Sequence, residues 1–539
     1  MQVLPDRGQS FRIIREDNLL YVDKTEYIYN IIRNKGCFFL SRPRRFGKSL
    51  LLNAMAELLK GDRGLFEGLW IGSSDYDFKR YPVVQFSMAG ESGTPGELRS
   101  LIRGKLHAAA KPYGMPLFDG PPSAMLENLV RDLKAAAGER VAVLVDEYDA
   151  PIQSKIGSPA EAEKIRLVLH DFYSGLKTLA DGDQLQILFV TGVTKFTQAS
   201  IFSVFNILDD LTMNPSYNAV CGFTAAELEA ILGEFLPDVL EHNKSLGFIP
   251  SSASEDDLKR MIKDYYDGYS WDGRNRVFNP FSLVKFLSAK EFKNFWYSTG
   301  TPTFLPEFIK NRPLEYVSSE TYPLNEDNLN AVDVKELELA PLLFQTGYLT
   351  VKERVDSQNY MLTGPNLEVD RSLNNSLLTF LTGKKSAAVE RLSSGIRTAL
   401  ERCDAAGLAD GFSQILGWVT HQQHPALEGV KHAVIYSVLK SLHFNVKSEV
   451  SEADGTFDME IFMGRGSVYV CEFKQEKFKK KRGESDEDAV GRLLDLAREK
   501  ARSQIIRKKY DKRLLKEFKT VKRIAVGIVG NTNVGAEIF

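Results

Sequence analysis

Apolar residues fall along this chain in blocks whose spacing changes several times. In the first 200 or so residues, short unbroken apolar runs alternate with segments of helical spacing. The runs are Cys37-Phe-Phe-Leu40, Pro82-Val-Val-Gln-Phe86, Val141-Ala-Val-Leu-Val145 and Gln186-Ile-Leu-Phe-Val-Thr191, and residues 50–59 form the first helical segment. Buried strands separated by helices predict an α/β unit with a parallel sheet covered on both faces. After Gly222 the texture turns helical, and Thr224 with Glu227 three residues on has the form of a capping box. Residues 340–350 lead into a hairpin-like stretch ending at Leu362, a pattern that suits a winged-helix-like unit. From about Leu373 to Leu442 the spacing is helical again. The last hundred residues then read strand, strand, helix, strand, a second α/β unit.

Composition changes this picture little. A chain of 539 residues is too long for one core, and 43% hydrophobic with 26% charged residues is ordinary for globular domains. No apolar run approaches the roughly 18 residues of a membrane span, and the first ten residues lack the apolar segment of a signal peptide. A cytoplasmic protein with no membrane partner is therefore expected. Cys37, Cys221, Cys403 and Cys471 have neither zinc-ligand nor redox spacing, and three sit in apolar surroundings, which predicts free thiols in a reducing compartment. Charge is more informative. Between Lys474 and Arg523 there are 19 Lys and Arg against 9 Asp and Glu, although the whole chain carries only −2. Such a basic end suits a polyphosphate partner. Acidic residues from Glu484 to Asp488 interrupt the run, and solvated helix faces would also explain it.

Candidate chemistry appears in two places. The first is Ser41-Arg-Pro-Arg-Arg-Phe-Gly-Lys-Ser49, between a predicted strand and a predicted helix. A turn in that position aims successive N–H groups and the helix dipole at phosphate oxygens. Arg44, Arg45, Phe46, Gly47, Lys48 and Ser49 are thus candidate ATP-binding residues, with Lys48 reaching the β/γ-phosphates and Ser49 ligating Mg²⁺. Arg42 stands where the usual first glycine of such loops falls. The strand ending in Asp146-Glu147 supplies a carboxylate for the metal and another, Glu147, to polarise the attacking water. Thr191 and Thr194, at the end of the next strand, are placed to sense the γ-phosphate. Lys195 joins Arg44 and Arg45 as a candidate charge stabiliser.

The second place is near the C-terminus. Thr456-Phe-Asp-Met-Glu-Ile-Phe462 alternates, so Asp458 and Glu460 share a strand face, and Val468-Tyr-Val-Cys-Glu-Phe-Lys474 alternates after a Gly464-Arg-Gly466 turn. Glu472 and Lys474 therefore point the same way. An antiparallel pair brings Asp458 and Glu472 to one Mg²⁺, with Lys474 orienting or deprotonating a water. A cross-strand salt bridge is the alternative. Burial weighs against it, because Glu472 lies in an otherwise apolar strand where a charge needs a partner or a metal.

These stretches carry a resemblance. Tyr21-Val-Asp-Lys-Thr25, the loop ending at Ser49, Leu65-Phe-Glu-Gly-Leu-Trp70, Asp146-Glu-Tyr-Asp149 and Thr191-Gly-Val-Thr-Lys-Phe196 are similar to motifs of the bacterial AAA-ATPase-like family, commonly fused to a C-terminal PD-(D/E)XK nuclease domain. That family shares the missing first glycine. Asp267-Gly-Tyr269, Asn279-Pro-Phe-Ser282 and Thr299-Gly-Thr-Pro-Thr303 extend the similarity, without chemistry of their own. The resemblance implies an AAA-ATPase-like P-loop domain at 1–222, a helical lid at 223–330, a winged-helix-like connector at 331–372 and a restriction-endonuclease-like domain at 373–539. It also implies that Glu428, early in a helix, and Gln504, with Lys508 and Tyr510, complete the catalytic set. The expected function is ATP binding and hydrolysis that regulates Mg²⁺- or Mn²⁺-dependent cleavage of nucleic acid, DNA before RNA. The alternative is a nucleotide-dependent switch with a catalytically inactive nuclease-fold module. Self-association, with an arginine finger acting between copies, is left open.

Overall fold

A computed structural model of the chain describes all residues except 1–2, 6–8, 91–92, 157, 196–206, 297–320, 331–337, 420–426, 443, 453–454, 465–466 and 510. It divides into two compact units, one of Met1–Thr301 with Pro323–Glu368, the other of Pro302–Tyr322 with Val369–Phe539.

The first unit is built on a five-stranded parallel sheet: β1 (Gly36–Ser41), β2 (Val83–Ser87), β3 (Val141–Asp146), β4 (Leu185–Gly192) and the short β5 (Asp209–Asp210). Every residue of β3 is buried, as expected of a strand covered by helices on both faces. The order is β2-β3-β4-β1-β5. Because β4 lies between β1 and β3, the carboxyl ends of all three stand side by side, the edge at which open α/β sheets bind ligands. The predicted helix runs from Lys48 to Leu59, directly behind β1.

Beyond the sheet, helix Ala225–Ser245 begins with the expected capping box. Thr224 Oγ1 accepts from the Glu227 N–H at 3.2 Å, and the Glu227 carboxylate accepts from the Thr224 N–H at 2.7 Å. This helix, Glu255–Tyr266 and Pro280–Ala289 share one apolar core that includes Leu232, Leu236, Ile262, Tyr266 and Phe286. Helix Leu339–Thr346 precedes the expected hairpin, and a three-stranded sheet has the order β6-β8-β7, from β6 (Tyr322–Asn325), β7 (Thr350–Arg354) and β8 (Asn359–Thr363).

The second unit holds helices Ser386–Arg402, Ala405–Trp418 and Leu427–Ser441, then a mixed sheet. Its strands are β9 (Asn445–Glu452), β10 (Gly455–Gly464), β11 (Ser467–Glu476), β12 (Thr520–Val529) and β13 (Asn533–Ile538), ordered β13-β12-β11-β10-β9. β9 and β13 exceed the sequence expectation. Both are edge strands with interspersed polar residues or glycine, and neither presents the unbroken apolar run that marks a buried strand. Residues 465–466 of the expected turn lie outside the described residues. Helix Asp486–Lys508 packs along β11 and β12. Gly527 permits its approach, since a Cβ there would come within 2.8 Å of the Leu494 carbonyl oxygen and 2.9 Å of Ala497 Cβ.

The four cysteines are free thiols, Cys221 and Cys471 buried. Cys403 has a polar environment: Lys522 Nζ lies 2.5 Å from its sulfur and the Tyr469 hydroxyl 3.2 Å, and these contacts lower its pKa. Among the described residues no helix is long and apolar enough to cross a membrane.

One buried acid braces the loop after β1. Glu368 accepts the Trp296 N–H at 2.7 Å, and the Trp296 indole N–H donates to the Arg44 carbonyl at 3.0 Å. Glu368 is fully buried, and desolvation lifts its pKa from 4.5 to about 7. A carboxyl whose folded pKa lies above its unfolded one holds its proton longer in the folded chain. Stability is therefore lost as pH rises from the ordinary value towards 7 and levels off above it, by about 3 kcal/mol at most. Glu368→Gln is expected to flatten that part of the Tm-versus-pH curve in calorimetry. Parallel curves for the two proteins would show that Glu368 ionises normally.

Candidate functional site

The phosphate loop follows from two backbone choices. Gly47, the N-cap of helix Lys48–Leu59, has φ 92°, and Arg45 has φ 68°, both left-handed. These conformations curl the chain round the helix start, where unpaired N–H groups gather. Arg44, Arg45, Phe46, Gly47, Lys48 and Ser49 all line a cavity of about 660 Å³, together with Tyr21, Glu147, Gln153 and Phe281. Its volume suits a nucleotide-sized ligand.

Lys48 is buried and donates to the carbonyls of Arg42 (2.8 Å) and Pro43 (2.9 Å), while desolvation lowers its pKa. Ser49 Oγ donates to Asp146 Oδ2 at 2.6 Å. The Thr191 hydroxyl and the Glu147 N–H both donate to Asp146 Oδ1, at 2.6 and 2.9 Å. The strand order explains this convergence: Ser49 follows β1, Thr191 is the last residue but one of β4 and Asp146 ends β3. Glu147 adopts φ 50°, an uncommon conformation for a residue with a side chain. Burial, then the nearby Asp146 charge, raises its pKa.

Thr194 is placed elsewhere. Its N–H and hydroxyl both donate to Asp149 Oδ2 at 2.6 Å, and Gln153 Nε2 donates to the same oxygen at 2.6 Å. Arg44 Nη2 in turn donates to Gln153 Oε1 at 2.9 Å. Neither Thr191 nor Thr194 is among the residues lining the cavity, whereas Asp149 and Gln153 are. Among the sequence motifs Asp149 stood only at the end of one, without a role, and Gln153 in none. Their i, i+4 spacing just after the Asp146-Glu147 strand end was the available signal. Lys195 pairs with Asp210 at 2.6 Å.

Arg42, at the position of the absent glycine, is wholly buried. Its guanidinium donates to the carbonyls of Ser41 (2.8 Å), Thr212 (3.0 Å) and Tyr217 (2.9 Å) and lies 3.8 Å from the centre of the Trp271 ring. Desolvation brings its pKa down to about 10, so it stays charged at neutral pH.

In the second unit, β10 and β11 pair with Met459 opposite Cys471, so one step further along Asp458 stands opposite Glu472. Asp458 Oδ2 accepts the Phe473 N–H at 2.6 Å. Lys474 Nζ donates to Glu472 Oε1 at 2.6 Å. Glu472 is 1% exposed, and its buried Oε2 has no hydrogen-bond partner among the described residues. Burial, then the Asp458 charge, pushes its pKa up to about 7 against the pull of Lys474. Glu460 shares the Asp458 face but is buried against Arg513. Gln504 is half-buried on helix Asp486–Lys508, which packs on β11. Glu428 is in the first turn of helix Leu427–Ser441, and its side chain lies outside the described residues.

Among the described residues no three His, Cys, Asp or Glu side chains are grouped to hold a metal. Asp458 and Glu472 still suit Mg²⁺, which commonly takes one or two carboxylates and keeps water and phosphate for the rest of its shell. The orphaned, buried Glu472 oxygen is the feature that fits a cation.

Arg42→Gly restores the usual loop glycine, yet it removes the charge that three carbonyls and an indole enclose. Unfolding of the first unit is expected to become easier by about 3 kcal/mol, with Tm falling several degrees in calorimetry. An unchanged Tm would mean that the cage contributes nothing.

Residues 8–202 match the family model described as "Predicted AAA-ATPase", and residues 426–537 match that of the PD-(D/E)XK nuclease superfamily. The uncharacterized protein in the vnfD 5' region of Azotobacter chroococcum mcd 1 is 34% identical over 482 residues, which cover 87% of this chain and 89% of that one. Among solved structures, Cdc6p from Pyrobaculum aerophilum aligns with 67% of this chain and 94% of its own at 14% identity, with a TM-score of 0.21, too low to argue from. This chain belongs to the AAA-ATPase-like family, in the form that carries a C-terminal PD-(D/E)XK nuclease domain.

Proposed function

We propose that this protein is a cytoplasmic, ATP-regulated nuclease. Residues 1–222 would bind and hydrolyse ATP, 223–330 form the lid, 331–372 the winged-helix-like connector, and 373–539 cut phosphodiester bonds in nucleic acid, DNA before RNA. One observation carries the reading: Asp458 faces Glu472 across β10 and β11, with one Glu472 oxygen buried and unbonded among the described residues.

A divalent ion held by Asp458 and Glu472 would supply Lewis acidity and a more acidic bound water. Lys474, about one-third exposed beside Glu472, orients the water and holds charge near the scissile phosphate. Asp458 is fixed for its part by the Phe473 N–H. At the phosphate loop, Lys48 would exchange the Arg42 and Pro43 carbonyls for the β/γ-phosphates, and Ser49 and Asp146 would hold the magnesium of Mg-ATP. Glu147, at the cavity wall and next to Asp146, is placed to take a proton from the attacking water, and burial raises its pKa. Arg44 and Arg45 reach the same cavity as charge stabilisers.

A second reading rests on the Lys474–Glu472 ion pair, which partly neutralises the buried acid without a metal. In that reading the nuclease fold grips nucleic acid and ATP state controls the grip. Cleavage assays with Mg²⁺ or Mn²⁺ separate the two. The nuclease reading expects Asp458→Ala and Lys474→Ala each to reduce cleavage at least about a hundredfold. Wild-type protein that binds nucleic acid and never cuts it would favour the switch.

Coupling between ATP and cleavage has its own test. Lys48→Ala is expected to abolish ATP turnover and the ATP dependence of cutting. Cleavage that keeps its ATP dependence in this variant would refute the coupling. Mass in solution with and without ATP reports on self-association.

A further inference from the structure

The chemistry above leaves unused the densest part of the basic run. Directly after β11 comes Lys477-Phe-Lys-Lys-Lys-Arg482, five cations and one aromatic residue with no acid among them. Every residue from 477 to 483 is exposed, and Phe478 is 46% exposed. Lys477, Lys479 and Arg482 make no ion pair among the described residues.

Charge runs are usually solvated and unshaped, but this one is held in form. Arg492 grips the Glu484 carboxylate with Nε (2.7 Å) and Nη2 (2.9 Å), and Nη2 also donates to the Lys479 carbonyl at 3.0 Å. The Lys481 N–H donates to Glu484 Oε2 at 2.7 Å, and Gly483 turns the chain at φ 81°. The acids that interrupt the basic run thus shape it. Glu484 fastens the base of the loop, and Asp486 pairs with Lys480 at 2.6 Å. Phe478 is four residues past Lys474, so its backbone lies within about 14 Å of that residue.

A ring kept in water among unpaired cations has little use for duplex DNA, whose bases already stack on one another. It matches a strand with free base faces and spaced phosphates. We propose that residues 477–482 form a clamp for single-stranded nucleic acid beside the Asp458–Glu472 site. Phe478 stacks on an unpaired base, and Lys477, Lys479 and Arg482 contact the flanking phosphates. This rests on the nucleic-acid reading of the second unit and adds to it the strand state of the substrate.

The test is binding without metal, in EDTA, by fluorescence anisotropy. Full-length Asp458→Ala is compared with the same protein also carrying Phe478→Ala, on a labelled single-stranded oligonucleotide and on its duplex. Single-strand affinity is expected to fall about tenfold and duplex affinity less than twofold. Phe478→Trp should keep single-strand binding, which a general structural defect would not allow. Joint replacement of Lys477, Lys479 and Arg482 by alanine should make the salt dependence shallower by about two units of log–log slope. Equal losses on both substrates, no loss on either, or no binding by the parent protein would each overturn the clamp. The two readings fail separately. Cleavage by a protein indifferent to Phe478 removes the clamp alone, and Phe478-dependent binding by a protein that never cuts removes the nuclease alone.

Discussion

A carboxylate kept from water must find a proton, a cation or several donors, and the placement of Glu472 forces that choice. β11 carries it into a buried stretch of sheet beside a second acid, Asp458, and only one of its oxygens meets Lys474. The arrangement strains towards a positive partner. Desolvation of an unpaired charge costs several kcal/mol, so such a site is held only where packing fixes it. Packing does so here, through β12 on one side and helix Asp486–Lys508 laid across Gly527. Glu460 shows the contrast. It lies two residues from Asp458 on the same strand, but Arg513 neutralises it and it stays part of the framework.

The same principle governs the phosphate loop with the signs reversed. Among the described residues no carboxylate hydrogen-bonds the buried Arg42 guanidinium, and carbonyl dipoles and an indole face enclose it, with Asp210 and Asp272 acting on it as charges. Asp149 is a buried anion satisfied by two main-chain N–H groups, a hydroxyl and an amide. Both networks join residues distant in sequence, and both fix the positions of side chains that face the cavity.

How much of this was readable from sequence follows from which contacts are local. β1 to β4 announced themselves because strands covered on both faces are unbroken apolar runs. The pairing of Asp458 with Glu472 was readable because alternation and a short hairpin set the register. β9 and β13 were not, since these edge strands mix polar residues or glycine into the pattern. The Arg42 cage was out of reach as well, since its partners Thr212, Tyr217 and Trp271 lie at least 170 residues downstream. The Asp149–Thr194 cluster depends on β4 lying beside β3, a matter of strand order that no local spacing encodes. Nor could spacing say that Lys48 would bond its own loop.

The Trp271 lid over Arg42 bears on how this protein can be taken apart. Phe46 packs edge-on against Tyr269 and Trp271, Arg45 lies over Phe281, and Trp296 holds the Arg44 carbonyl. All four aromatic residues come from beyond the 8–202 span that the ATPase family model covers. A fragment cut at that border would keep every residue of the nucleotide motif and lose the walls that shape it. Its loop would carry an arginine stripped of the Thr212 and Tyr217 carbonyls and the Trp271 ring that enclose it. Failure of such a fragment to bind ATP would then report a missing roof, not a defective motif.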